Sequence, residues 1–178
     1  MAYEKWIRAG RRRPVYVPSE TAIEVDFGRK EIELMLPHRD PFLLIDYVDR
    51  VDLKEEGLRG GRYIDPNDPI FAGHFPGFPV YPGTLMMEMI GQASICLHHL
   101  LVKGEATITS DDKPQDLRLL KLHHALFLAE VHPGDNVTFL AKMVEHDSFT
   151  VTCIGQVMKE DTICAMAIME VYLIDEDE

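Results

Sequence analysis

The sequence predicts an α+β fold in which an antiparallel sheet wraps one long central helix. Three observations predict it. The run from Thr84 to about Lys103 is apolar on most sides and is bounded by Pro82-Gly83 and by Gly104, as expected of a helix buried at the centre of a fold. Four β-rich runs follow it: Leu117 to Val131, Asn136 to His146, Phe149 to Lys159 and Thr162 to Ile174. The turns between them are short (His132-Pro133-Gly134-Asp135, His146-Asp147-Ser148 and Glu160-Asp161), so the strands form a meander that packs as a layer on the helix.

The first half carries shorter elements. Residues 1 to 28 form an extension of mixed charge with Pro14, Pro18 and one alternating segment, Ala22 to Phe27, whose structure stays open. A short helix is expected over Lys30 to Met35, stopping before Leu36-Pro37 because the residue ahead of proline resists the helical region. Phe42 to Val51 reads as a strand and Gly57 to Ile64 as its hairpin partner. Asp65 to Pro82 is a loop leading into the central helix, and Glu105 to Gln115 an exposed one after it. The expected organisation is the extension 1–28 followed by one domain, 29–178. A chain of 178 residues buries roughly 70% of its unfolded surface on folding.

Composition narrows the function. Hydrophobic residues are 46% and charged residues 27%, ordinary for a soluble globular protein. A net charge of −12 argues against nucleic acid, which wants a basic surface. The charge is uneven: Arg8, Arg11, Arg12 and Arg13 cluster near the start, and the chain ends Asp175-Glu176-Asp177-Glu178. Cys96, Cys153 and Cys164 have no paired spacing and read as buried free thiols in a reducing compartment. With no signal-like apolar core at the start, a cytoplasmic protein is expected. Thr84–Lys103 has the length of a membrane span, yet it carries Glu88, Gln92, Ser94, His98 and His99, costly in lipid, so no span is expected. The pairs His98-His99 and His123-His124 are adjacent rather than four apart, so neither a metal nor another cofactor is expected.

The most informative stretch is Phe71 to Ser94. Its loop holds Pro76, Pro79 and Pro82 with Gly73, Gly77 and Gly83, and presents one histidine, His74. The helix that follows carries one carboxylate, Glu88, among Leu85, Met86, Met87, Met89 and Ile90, where a carboxyl needs a partner or a purpose. This layout points both groups into a pocket beside a helix N-terminus, an acid/base site for a carbonyl substrate. Histidine suits the base because its ordinary pKa of about 6.5 leaves it mostly neutral near pH 7. A carboxyl in apolar surroundings suits the acid, since desolvation favours its protonated form. The free N–H groups around Gly83 and Thr84 suit charge developing on a carbonyl oxygen. Gln92, one turn after Glu88, either orients Glu88 or a water, or is a buried amide bonded to a neighbouring strand.

These residues resemble the (3R)-hydroxyacyl-[acyl-carrier-protein] dehydratases of bacterial fatty acid synthesis. The resemblance runs from about Glu31 to Tyr172 and rests on Leu36-Pro37-His38-Arg39-Asp40-Pro41-Phe42-Leu43-Leu44-Ile45-Asp46, Gly73-His74-Phe75-Pro76-Gly77, Pro82-Gly83-Thr84-Leu85, Met87 to Ala93 and Pro133-Gly134-Asp135. It implies a hot-dog fold and a dimer, often a trimer of dimers, in which His74 of one subunit faces Glu88 of the other. It implies elimination of water from a 3-hydroxyacyl thioester, with His74 the base, Glu88 the acid and the Gly83 N–H the carbonyl polariser. Glutamate rather than aspartate at position 88 implies the branch that only dehydrates. Phe71, Phe75, Phe78 and Tyr81 would line or gate an acyl tunnel, although core packing accounts for them equally well. His38 matches a structural family position and is assigned no catalytic role.

One departure bears on the partner. Where the family shows a basic Ala-Arg-Phe-Lys, this chain has Ala125-Leu126-Phe127-Leu128, which leaves either acyl carrier protein or coenzyme A as the thioester's handle. Arg118, Lys121 or the arginines at 11–13 are candidate replacements, against the plainer reading of a solvated charge run. The other functions weighed are a hot-dog thioesterase and a non-catalytic acyl-thioester-binding protein.

Overall fold

The computed structural model describes residues 3–174, so the acidic end Asp175–Glu178 lies outside the described residues. The elements in chain order are α1 (Glu4–Gly10), β1 (Ile23–Phe27), α2 (Arg29–Met35), β2 (Tyr47–Asp52), β3 (Gly57–Tyr63), a 3-10 turn (Pro69–Ala72), α3 (Gly83–Lys103), β4 (Leu117–Phe127), β5 (Asn136–His146), β6 (Thr150–Lys159) and β7 (Thr162–Leu173). All pairings between strands are antiparallel, and one seven-stranded sheet results, ordered β1-β2-β3-β5-β6-β7-β4. The expected α+β arrangement of an antiparallel sheet around one long helix is what forms.

Helix α3 lies on one face of this sheet. Met89, Ala93, Cys96, Leu97 and Leu100 are fully buried there, against Phe139, Ala141, Val157, Ala165 and Ala167. The contact is close enough to dictate a glycine. A Cβ on Gly155 of β6 would stand 2.4 Å from Ile90 Cγ2, so any larger residue would push the helix away. Gly104 ends α3 in the left-handed conformation, its N–H bonded to the carbonyls of Leu100 and Leu101. By length and composition α3 could cross a membrane, but here it is the core helix.

The opposite face of the sheet is covered as well. Along β6 and β7, even-numbered Ile154, Met166 and Ile168 point away from α3 and pack under Trp6, Ile7 and Val15. Residues 3 to 18, whose structure the sequence left open, are therefore built onto the sheet, and Ile23–Phe27 joins it as edge strand β1.

Two expected strands are shorter. The Phe42–Val51 run begins pairing only at Tyr47, because the 42–44 segment gives its main-chain groups to a side chain of α3 instead. The run predicted to reach Val131 stops at Phe127, where the N–H groups of Leu128 and Ala129 both turn to the Cys164 carbonyl and the ladder closes. The expected exposed loop 105–115 is pinned at Asp112, which accepts from Lys103 Nζ (2.6 Å), His99 Nε2 (3.0 Å) and the Thr109 N–H (2.7 Å).

Candidate active site

The loop that carries His74 is closed by its own main chain. Phe75 and Phe78 exchange N–H···O bonds, and the Val80 N–H donates to the His74 carbonyl (3.0 Å). The imidazole is then fixed by one more bond, Nδ1 to the Val80 carbonyl at 2.8 Å. A carbonyl only accepts, so Nδ1 carries the proton and the neutral ring keeps its lone pair on Nε2. The ring is half-buried and stacks on Phe75 with centroids 4.0 Å apart. This is an imidazole with its tautomer already selected.

Glu88 projects from the second turn of α3. Its Oε1 accepts from Gln92 Nε2 at 2.9 Å and lies 3.4 Å from His38 Nε2. Gln92 is fully buried: its Oε1 accepts from the Leu44 N–H (2.8 Å), and its Nε2 donates to the Phe42 carbonyl (2.8 Å) as well as to Glu88. Every bond this amide can make across that gap fixes its orientation, because a flipped amide would face N–H with N–H. Gln92 thus bonds Glu88 and, where a neighbouring strand was expected, the 42–44 loop.

Before α3, the Pro82 carbonyl accepts from Leu85 and Met86, and the Gly83 and Thr84 N–H groups have no main-chain partner among the described residues. Phe127 packs over this helix start. A Cβ at position 83 would stand 2.7 Å from Phe127 Cδ1, so glycine is what lets the end of β4 close on the head of α3.

Glu88 and His38 stand at one end of an apolar cavity of about 160 Å³ that runs along α3 past Gly91, Ser94 and His98 under Leu119. His98 is buried, and desolvation pushes its imidazole below its usual pKa. His74 lines no part of this cavity, and within one chain no hydrogen bond or ion pair joins it to Glu88. Phe71 and Tyr81 are buried in the main core, Phe75 and Phe78 are exposed, and none of the four lines the cavity.

His38 is the residue that sequence reasoning passed over. Its Nδ1 is buried without a partner while its Nε2 faces Glu88. No sequence spacing signals a contact across fifty positions. Among the described residues, no group of three or more metal-ligating side chains converges. The adjacent histidines diverge, His99 to Asp112 and His123 to Glu170.

Known proteins share both this sequence and this fold. The FabA-like domain model matches residues 36–168. A 3-hydroxyacyl-[acyl-carrier-protein] dehydratase FabZ of Nitratiruptor is 30% identical over 145 residues, covering 82% of this chain and 96% of that protein. The FabZ of Chlamydia trachomatis serovar L2 is 35% identical over 116 residues, 65% of this chain and 71% of that one. Among solved structures, a chain of the dehydratase heterocomplex ApeI:P from Xenorhabdus doucetiae superposes with a TM-score of 0.64 at 17% identity, covering 83% of this chain and 93% of the other. A hypothetical thioesterase with coenzyme A from Streptococcus pneumoniae gives 0.57 at 10% identity, covering 82% and 95%, a likeness of fold alone. With the helix, the sheet and the two motif-bearing segments in place, the chain belongs to the FabA-like, hot-dog dehydratase family.

Proposed function

We propose that this enzyme, a hydro-lyase by its family, removes water from a (3R)-3-hydroxyacyl thioester at sites shared by two protomers, and that it works in the cytoplasm on fatty acid or related lipid synthesis. The observation that carries the reading is the pairing of two prepared groups: an imidazole whose Nε2 lone pair is left free by the Nδ1–Val80 bond, and a carboxyl held by Gln92 at the end of an apolar cavity. Three buried, unpaired thiols suit a reducing compartment.

In this mechanism His74 Nε2 takes the proton from the carbon next to the thioester carbonyl. The electron pair moves towards the carbonyl oxygen, which the Gly83 N–H, with Thr84 beside it, stabilises. As the pair returns to form the trans-2 double bond, the C3–O bond breaks, and Glu88 of the partner subunit gives its proton to the departing hydroxyl, which leaves as water. The proton gained by His74 and the one lost by Glu88 balance through solvent before the next turnover. No step requires a cofactor. Gln92 holds the acid in place, and Phe71, Phe75, Phe78 and Tyr81 remain candidates for the acyl path between protomers.

Two features support the dimer. The pair does not meet within one chain, and β4 ends the sheet with a free edge whose Leu119, Leu120, Leu122 and Phe127 are between 42% and 64% exposed. Residues 29–178 would make the dehydratase domain and 1–28 its extension, with further assembly into a trimer of dimers open to the same measurement. The reading is tested by hydration of crotonyl-coenzyme A, the reverse reaction. His74→Ala and Glu88→Gln should each slow it roughly 10²–10⁴-fold with the oligomer intact in sedimentation. Release of free thiol instead would make the protein a thioesterase, and binding without turnover a non-catalytic acyl-thioester carrier.

A further inference from the structure

The arginine cluster of the extension is a constructed surface rather than a loose tail. Gln156 of β6, fully buried, donates to the carbonyls of Gly10 (2.6 Å) and Arg13 (3.0 Å) and accepts from the Val15 N–H (2.8 Å). The segment Arg11–Arg13 is therefore tied to the sheet on both sides. Gly10 beneath it is buried so tightly that a Cβ there would stand 2.5 Å from Met166 Sδ. The main chain is fixed while Lys5, Arg8, Arg11, Arg12 and Arg13 stand exposed.

These side chains line two adjoining concavities, one walled by Lys5, Arg8, Arg12 and Arg13, the other by Arg8, Arg11, Arg12 and His124 of β4, with Glu4 a single carboxylate at the wall of both. Arg8 has an ion pair with Glu4 at 3.5 Å, and the side chains of Arg11, Arg12 and Arg13 have no hydrogen bond or ion pair among the described residues. In a chain of net charge −12, so local a basic surface marks a partner that is itself acidic. The arginines themselves, unlike His124, lie outside residues 36–168, the part matched by the family model.

Its position ties it to the site. His124 lines the basic groove, and Phe127, three residues further along β4, packs over Gly83 at the head of α3. At a strand's rise the two are about 10 Å apart. A substrate carried on a flexible arm could be docked at the groove and reach past the end of β4 to the helix start.

We propose that the extension is a docking surface for an acidic acyl carrier protein, replacing the basic residues absent at Leu126 and Leu128; this rests on the dehydratase reading. Coenzyme A also carries phosphates that arginine can hold, and hydration of crotonyl-coenzyme A by the arginine variants separates that source from the carrier protein. A compact acidic protein face is complementary in charge to these paired concavities, whereas a long nucleic acid would run onto the acidic remainder of the molecule.

The test compares wild type with Arg11→Glu/Arg12→Glu/Arg13→Glu and with the corresponding triple lysine variant. Binding of a fluorescently labelled bacterial acyl carrier protein is measured by anisotropy, alongside hydration of crotonyl-coenzyme A. The proposal expects binding weakened roughly tenfold or more by charge reversal, kept by lysine, and weakened in wild type by added salt, while crotonyl-coenzyme A turnover is unchanged. Equal carrier binding by wild type and the reversed variant, no carrier binding at all, or a matching fall in crotonyl-coenzyme A turnover would each overturn it. Absence of wild-type hydration together with charge-dependent carrier binding would instead strike the dehydratase reading and leave the docking surface standing.

Discussion

Gln92 decides whether Glu88 has one position or several. Its amide bridges three groups that belong to different parts of the chain, the Leu44 N–H, the Phe42 carbonyl and the Glu88 carboxyl, with no water needed between them. Replacing it with leucine removes all three bonds, the one to the Leu44 N–H buried and the other two part-buried. Each main-chain group left without a partner there costs about 1–3 kcal/mol, and for a chain of this size each kcal/mol lowers Tm by about 2–4 °C. Gln92→Leu should therefore lower Tm by several degrees in calorimetry and also cut hydration activity at temperatures where the variant is fully folded. A fall in stability with activity retained would mean that Gln92 serves only the 42–44 loop. The proposed pair stood out at this level because each member is out of place chemically, a carboxylate among methionines and a histidine among prolines. His38 was not, since its nearness to Glu88 exists only once the 36–46 segment has folded over α3.

Among the elements, α3 has to be anchored at both ends, at its head under Phe127 and at its tail by the loop that follows. Asp112 does the second job, receiving Lys103, His99 and the Thr109 main chain. The Lys103 ammonium, aided by the Thr109 and His99 bonds and opposed by desolvation, holds the Asp112 carboxyl well below the usual carboxylate range. A carboxylate with a depressed folded-state pKa stabilises the fold fully above its unfolded value, about 3.9, and loses that contribution as pH falls below it. Asp112→Asn should thus lower Tm at neutral pH, and the gap to wild type should narrow as pH drops under about 4. A gap that stays constant with pH would assign the effect to packing alone. The helix and the later strands could be read from sequence because their periodicity and turns are strong. The 42–46 segment could not, as a short apolar run looks the same in a buried loop and in a strand. A signal for the covered outer face was present: β7 runs from Ile163 to Met169 without a charged, amide or hydroxyl side chain on either face, so something had to lie over Met166 and Ile168 and over Ile154 beside them. Nothing in the periodicity of residues 3 to 18 said that they were the cover.

At the level of the whole molecule, the proposed function divides the site between two protomers. His74 stands on a loop outside the cavity that Glu88 opens, and the strand nearest the head of α3 is an unpaired edge with an apolar surface. A two-fold dimer through that region would make each site from one copy's loop and the other copy's helix, and this proposed division can be tested without a further structure. On this reading His74→Ala and Glu88→Gln should each be nearly inactive as homodimers, because every site in each carries the lesion. When the two are unfolded, mixed in equal amounts and refolded, about half of the dimers are mixed, and in each of these one site pairs His74 of the Glu88→Gln subunit with Glu88 of the His74→Ala subunit. Crotonyl-coenzyme A hydration should then recover to about a quarter of the wild-type rate per protomer. Were both groups to serve the same subunit's site, no mixture would contain an intact pair, and activity would stay at the level of the separate variants.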